Sequence, residues 1–279
     1  MLAIPSTLSV VNRVAAHIRY RRAQLGRARV LRPVLQWRRA VARRSAEAYF
    51  TAGGPGAELV PALAGGSATG AGWTDYHLLH RYILTRRPRR VLEFGSGKTT
   101  VVMAHALAVA HRAAPRNEPG HLYSLEDIPR FHEEVKRRVP EELMPYVTLL
   151  CREKRESHWR GEIWGFHYSE LPPPPFDFVF VDGPTEYRDE QAVQQGSKGV
   201  CLDLLYLLER DSDVSMDVVV DQKLSSLEAY ESVLPRGTVR YDPVMDVGVL
   251  VGVKGRMLCG PRRDARTRRG EAWRILGLV

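Results

Sequence analysis

Two glycines and an acidic residue lie together at the end of a short apolar segment in the first half of the chain. Val91–Phe94 indicates a buried strand that contains Glu93, and Gly95-Ser96-Gly97 follows it directly. Glycines in such a turn let the backbone approach a ligand closely. Lys98 and Thr99 then open a helical pattern, and the first N–H groups of a helix have no partner within it. The segment predicts a loop that binds a nucleotide-like cofactor.

Three classes of cofactor loop share this geometry, and neighbouring residues separate them. A P-loop requires glycine five residues before the glycine of Gly97-Lys98-Thr99, and that position is Leu92. A dinucleotide loop requires a third glycine where this chain has Thr100. The P-loop is therefore excluded and the dinucleotide loop is disfavoured, although it stays open as an alternative.

Acidic residues also end three later apolar segments. Glu126 ends the segment that begins at Leu122, and a carboxylate there could accept hydrogen bonds from both hydroxyls of a ribose. Asp127 is its less favoured neighbour and a candidate helix N-cap before Pro129. Asp182 follows Phe176–Val181, and Asp221 follows Val218–Val220. Because ligands of open α/β sheets gather at the carboxyl ends of strands, these acids are expected at one edge.

From residue 91 onward, apolar segments of strand length alternate with segments of helical periodicity. The expected helices include Thr99–His111, Pro129–Val139, Gly199–Arg210 and Leu224–Leu234. Thr238–Tyr241 and Val247–Val253 predict a final hairpin. The pattern predicts a doubly wound α/β fold with a mostly parallel seven-stranded sheet, a C-terminal antiparallel hairpin and an N-terminal helical extension.

The acid, the Gly-x-Gly loop and the later strand-end acids together resemble the class I S-adenosylmethionine (SAM)-dependent methyltransferases. The resemblance covers about residues 75–255. It implies that SAM is the cofactor and that these residues bind it or lie beside it: Glu93, Gly95, Ser96, Gly97, Lys98, Thr99, Glu126, Asp127 and Asp182.

The resemblance also implies that Asp182 faces the transferred methyl group, which makes it the first candidate for catalysis. A turn-forming Asp-Gly is the structural alternative for that residue. His167 and Tyr187 are candidate helpers. The insertion His158–Pro175, rich in aromatic residues, could cover the substrate, and Ile163–Tyr168 within it could instead form an extra edge strand. Asp182 and Asp221 could bind Mg²⁺. The metal is not favoured, because metal-dependent catechol-type O-methyltransferases have Asn where this chain has Gln222 and a Lys after the first Asp, where this chain has Thr185-Glu186-Tyr187.

Asp182 is not followed by the Asn/Asp-Pro-Pro-aromatic signature of amino-methylating enzymes. The sequence therefore favours methylation of a hydroxyl on a small molecule or glycan. The alternatives are an NAD-dependent Rossmann oxidoreductase and a non-enzymatic protein that binds a membrane or a nucleic acid beside a degenerate cofactor site.

The net charge of +9 is concentrated at the N-terminus, since residues 1–46 contain eleven Arg and no Lys, Asp or Glu. This segment could pack on the domain, contact a membrane or polyanion, or act as an organellar transit peptide. The expected location is the cytoplasm or a membrane surface. The domain division is a basic helical extension at 1–50, a Gly/Ala-rich linker at 51–73, a SAM-binding domain at 74–256 and a basic tail at 257–279.

Overall fold

A computed structural model describes residues 33–64, 71–188 and 198–260. Residues 1–32 of the predicted basic helical extension and most of the basic C-terminal tail lie outside the described residues. The proposed domain boundaries therefore stay a prediction.

The centre of the molecule is a seven-stranded sheet with the order β3-β2-β1-β6-β8-β10-β9. Five strands are parallel, whereas β10 runs antiparallel to both β8 and β9. This arrangement confirms the predicted fold class, including the final hairpin. The strands are β1 Arg90–Phe94, β2 His121–Glu126, β3 Val147–Cys151, β6 Phe178–Val181, β8 Met216–Asp221, β9 Val239–Asp242 and β10 Val247–Val253.

Helices cover both faces of the sheet, and the alternation of side chains along its central strands shows why. Phe178 and Phe180 of β6 join one core with α3 and α4, while Val179 and Val181 join a second core with α6 and α7. A strand buried on both faces must be apolar at every position, as this one is. The helices are α1 (33–51), α2 Val60–Leu63, α3 Trp73–Arg86, α4 Lys98–Ala113, α5 Pro129–Arg138, α6 Asp203–Arg210 and α7 Leu224–Val233.

A second sheet of three strands corrects one expected helix. Val200–Cys201 forms β7, so the helix expected over Gly199–Arg210 begins only at Asp203. β7 pairs with β5 (Ile163–Tyr168), which pairs with β4 (Lys154–Trp159). Ile163–Tyr168 is therefore a strand, but it belongs to this small sheet rather than to the edge of the main one.

Residues before β1 pack on the domain through buried aromatic and imidazole rings. The hydroxyl of Tyr49 on α1 bonds Nδ1 of His80 over 2.8 Å, and His80 Nε2 bonds Nδ1 of His105 over 3.0 Å. Burial lowers the pKa of His80 to about 3, so the ring is neutral and serves in packing and hydrogen bonding. Among the described residues, no helix combines the length and apolar character needed to span a membrane.

Candidate functional site

The loop after β1 is held by backbone contacts between three strand ends. Gly95 has a φ of +93° and donates its N–H to the carbonyl of Leu125 on β2 over 2.9 Å. Asp182 N–H bonds the carbonyl of Phe94 over 2.8 Å. A Cβ on Gly95 would lie 2.7 Å from the nitrogen of Gly183. Gly95 therefore joins the ends of β1, β2 and β6, where only glycine has room.

Glu93 is fully buried beneath this loop. Its carboxylate accepts hydrogen bonds from the hydroxyls of Thr99, Thr100 and Ser124, each over 2.6 Å. Burial raises the pKa of Glu93 to about 7, while the three hydroxyls act in the opposite direction. Because the side chain has no exposed surface, it positions the start of α4 rather than facing a ligand in this conformation.

Ser96 and Gly97 line a cleft at the start of α4. The Ser96 hydroxyl oxygen is shielded from solvent and has no hydrogen-bond partner. A Cβ on Gly97 would find its nearest neighbour, the hydroxyl of Thr99, at 3.8 Å, so the space beside this glycine is empty. Buried polar groups normally have partners. An unpartnered hydroxyl beside open space at the start of the 16-residue α4 fits a polar ligand.

Glu126 ends β2 next to the loop and is almost completely buried. One carboxylate oxygen accepts the N–H groups of Asp127 and Ile128 over 3.1 and 3.0 Å. Burial raises the pKa of Glu126 to about 7, whereas these bonds and the N–H of Ser96 lower it. The side chain is fixed at the position where a ribose-binding carboxylate was predicted.

Asp127 is not the predicted helix N-cap, because Ile128 occupies that position and has no side-chain cap. The Asp127 carboxylate accepts the Thr185 hydroxyl over 2.9 Å and lies 3.7 Å from Lys154 Nζ. It thus fastens the segment that follows Asp182 to the end of β2, and its predicted contact with the cofactor stays a prediction.

Asp182 and Asp221 end adjacent strands, and a lysine reaches the edge where they lie. Lys223 Nζ is 3.7 Å from Asp182 Oδ1, and only 12% of the lysine side chain is exposed. Burial raises the pKa of Asp182 to about 6, and Lys223 acts in the opposite direction. Burial and the charge of Asp182 raise the pKa of Asp221, whose Oδ1 is shielded and unpartnered. The edge therefore carries two strand-end carboxyl groups and one ammonium group.

A cleft of about 110 Å³ connects the loop to Asp182. This is smaller than the roughly 300 Å³ or more of a typical small-molecule site, so it would hold only part of a cofactor. Tyr76 of α3 and Arg138 of α5 form walls that the sequence did not predict. Lys98 and Thr99, both predicted, line it with Ser96 and Gly97.

The other two predicted catalytic residues lie away from this edge. His167 Nδ1 bonds the carbonyl of Tyr168 over 2.8 Å, and its ring packs on Tyr206 with centroids 5.1 Å apart. Tyr187 lies on the segment after Asp182, and the centroid of its ring is 5.3 Å from Lys198 Nζ. Among the described residues, no hydrogen bond or ring contact joins either side chain to Asp182, and their catalytic roles stay predictions.

The structure adds Lys223 and Asp75 to the predicted residues. Asp75 is buried at the start of α3, accepts the N–H of Gly72 over 2.7 Å, and raises the pKa of Asp182 and of Asp221 by repulsion. Lys223 follows the end of β8 by only two residues, and this proximity could have identified it from the sequence. Asp75 is remote in sequence from the strand ends, and no sequence pattern pointed to it. Within the described part of the chain, no group of three or more His, Cys, Asp or Glu residues could hold a metal ion.

Comparison with known proteins finds similarity in structure only. No family model matches the chain, and no curated protein matches it at a significant level. An O-methyltransferase of Streptomyces achromogenes involved in tomaymycin synthesis, solved with SAM, has 19% identity and a TM-score of 0.41 over 76% of this chain and 89% of its own. An O-methyltransferase of Bacillus cereus solved with S-adenosylhomocysteine (SAH) has 14% identity and a TM-score of 0.39 over 77% of this chain and 91% of its own. The SAH-bound Podospora anserina methyltransferase has 13% identity and a TM-score of 0.40 over 91% of this chain and 99% of its own.

Identities this low concern the fold alone, and TM-scores below 0.5 add no weight to any activity. The strand order and the direction of β10 are properties of this chain itself, and they agree with the resemblance carried by its loop and strand-end acids. The chain therefore has a doubly wound, Rossmann-like α/β fold.

Proposed function

We propose that this chain is a SAM-dependent methyltransferase that methylates a hydroxyl group of a small molecule or glycan. The observation that carries the proposal is the unpartnered Ser96 hydroxyl beside the open face of Gly97, between Glu126 and Asp182. These groups place hydrogen-bonding atoms at the carboxyl ends of three adjacent strands, β2, β1 and β6. An elongated nucleoside cofactor would contact all three ends.

Each part of the site would hold a different part of SAM. The Glu126 carboxylate, held at the end of β2 by backbone N–H groups, would receive the ribose hydroxyls. Ser96, Gly97 and the first N–H groups of α4 would bind the amino-acid part. Bound SAM supplies an electrophilic methyl group, and the chain aligns the acceptor and removes its proton.

Asp182 is the proposed proton acceptor. A carboxylate whose pKa is raised to about 6 by burial is a stronger base than an ordinary aspartate, yet it is mostly ionised at neutral pH. Lys223, 3.7 Å away, supports the ionised form and would stabilise the negative charge on the acceptor oxygen. Asp182 thus accepts the proton as the acceptor oxygen attacks, and Lys223 keeps the charge of the edge balanced.

The first experiment measures cofactor binding by calorimetry on the full chain, with SAM, SAH and NAD⁺ as separate ligands. SAM and SAH are expected to bind and NAD⁺ is not. Ser96→Ala is expected to weaken SAM binding by about 3- to 10-fold, the effect of one hydrogen bond. Ser232→Ala is the matched control, since that hydroxyl bonds a local carbonyl on α7. Binding of NAD⁺ alone would support the oxidoreductase, and binding of neither would support the non-enzymatic alternative.

The acceptor is found with isotopically labelled SAM. Cell extract is incubated with the wild type or with Asp182→Asn, and labelled products are separated by mass spectrometry. The labelled methyl group is expected on the oxygen of a small molecule or glycan, and only with the wild type. Label on nitrogen or carbon would contradict the proposed hydroxyl acceptor while leaving the cofactor assignment intact.

A further inference from the structure

Helix α1 has an apolar face on each of two opposite sides. Ala46 and Phe50 are fully buried against the domain. Val34, Trp37 and Val41 are 50, 66 and 47% exposed, and their spacing of three and four residues places them on one face. With a rotation of about 100° per residue, that face is turned away from the one that carries Ala46 and Phe50.

The exposure of this face does not come from a loosely attached helix. Arg39 donates through Nε and Nη2 to the carbonyl of Pro243 over 2.9 and 2.6 Å. Tyr49 bonds His80, and the ring of Phe50 packs against Trp73 with centroids 5.4 Å apart. Contacts in both the first and the second half of α1 attach it to the domain, so the outward direction of Trp37 is fixed by the fold.

Exposed large apolar side chains are rare elsewhere in the described residues. Only Met144 and Val251 share this property, and each lies on a different element from α1. Scattered apolar residues on a surface are ordinary, whereas a contiguous group marks an interaction site. The three residues on α1 form such a group.

The charged side chains that flank the group on α1 are arginines. The helical rotation places Arg38 on one side of the Val34–Val41 stripe and Arg44 on the other. Residues 1–46 contain eleven Arg and no acidic residue, so the surroundings of the stripe are cationic along the sequence as well. Arginines that flank an apolar stripe containing tryptophan are typical of helices that lie in the plane of a lipid interface.

We propose that the Val34-Trp37-Val41 face of α1 docks this protein on an anionic lipid bilayer, with the helix lying in the plane of the interface. Trp37 enters the boundary between headgroups and acyl chains, while Arg38 and Arg44 reach the lipid phosphates. A nucleic acid would engage the arginines but would give no function to Val34 and Val41. The proposal is independent of the methyltransferase activity.

The anchor of α1 also relates the docking face to the candidate site. Arg39 holds α1 to the turn at Pro243, and the strand after that turn begins with Val247, which pairs with Asp221. The anchor of α1 is therefore at the same edge of the sheet as the strand-end carboxyl groups.

The test is sedimentation of the full chain with vesicles of phosphatidylcholine, with or without phosphatidylglycerol. The wild type is expected to bind the anionic vesicles, less so at high salt, and to bind neutral vesicles at least tenfold more weakly. Trp37→Ser is expected to lower the partition coefficient about tenfold, and Trp37→Phe to retain most of it. Val251→Ser, which removes an equally exposed apolar side chain from β10, is expected to bind like the wild type.

Tryptophan fluorescence provides a second readout, because a blue shift on addition of anionic vesicles should disappear in Trp37→Phe although that variant still binds. Equal melting temperatures of all variants exclude misfolding as the cause. The proposal is overturned if Trp37→Ser binds like the wild type, if Val251→Ser loses binding equally, or if the chain binds RNA oligonucleotides and no vesicles.

Discussion

Replacement of Gly95 by alanine tests whether this glycine is required by the fold rather than by the ligand. Its φ of +93° lies in a region that alanine rarely adopts. The new Cβ would lie 2.7 Å from Gly183 N and 2.9 Å from the carbonyl carbon of Asp182, both backbone atoms. Neither neighbour can rotate away as a side chain would, so β1 and β6 must separate slightly.

The size of the effect follows from two costs. A left-handed backbone costs a residue with a Cβ about 1–2 kcal/mol, and forcing extra volume into a packed site costs about 1–3 kcal/mol. Gly95→Ala should therefore destabilise the fold by about 2–5 kcal/mol, which corresponds to a fall in Tm of roughly 3–9 °C for a chain of this size.

Gly97→Ala is the matched control two residues away. Its φ of −173° suits any residue, and the nearest atom to a new Cβ is 3.8 Å away. The Tm should change by less than about 2 °C, while the methyl group enters the space proposed for SAM and weakens its binding at least about tenfold.

Thermal unfolding of both variants by circular dichroism, together with SAM calorimetry, gives the comparison. The reasoning is refuted if Gly95→Ala melts like the wild type, or if Gly97→Ala loses stability to the same extent. Unchanged SAM binding in Gly97→Ala would contradict only the cofactor assignment of the loop.

Three further outcomes are expected. Burial raises the pKa of Asp221 to about 8, so the folded state holds its proton more tightly than the unfolded state. The contribution of this proton to stability is therefore lost as pH rises from about 4 through 8. Asp221→Asn should raise Tm at pH 9 and leave it unchanged near pH 3, and an equal gain at both pH values would contradict this pH dependence. Lys223→Met should lower kcat at least about tenfold without changing the Kd of SAM, with partial recovery in Lys223→Arg; loss of SAM binding would instead show a structural role. Tyr82→Phe removes the 2.5 Å bond to Asp217 and should cost about 1–2 kcal/mol in urea unfolding with unchanged SAM binding; an unchanged midpoint would refute the contribution of that bond.

Periodicity gave most of the main sheet correctly because its strands are apolar on both faces and its helices are long. It failed at Gly199–Arg210, where β7 has only two residues and pairs with Phe166, far away in sequence. A two-residue strand has no period to detect, and its partner is decided by tertiary structure.

The roles of single acids were harder to predict than their positions. Glu126 ends β2 and Glu93 lies one residue before the end of β1, yet Glu93 is enclosed by three hydroxyls whereas Glu126 lies beside the Gly95–Gly97 loop. Asp127 was expected to cap α5 and instead holds Thr185. Which way a strand-end carboxylate turns depends on the neighbouring strand, and its own sequence does not specify it.

The sequence by itself determined the Rossmann-like class, the glycine loop after β1 and the edge at which its acids gather, because glycine spacing and strand periodicity are local properties. Only the tertiary structure decided that Lys223 joins Asp182, that Asp75 approaches the same edge, and that Trp37 faces outward. These outcomes depend on residues far apart in the chain, and burial, charge and exposure are set only when the fold brings such residues together.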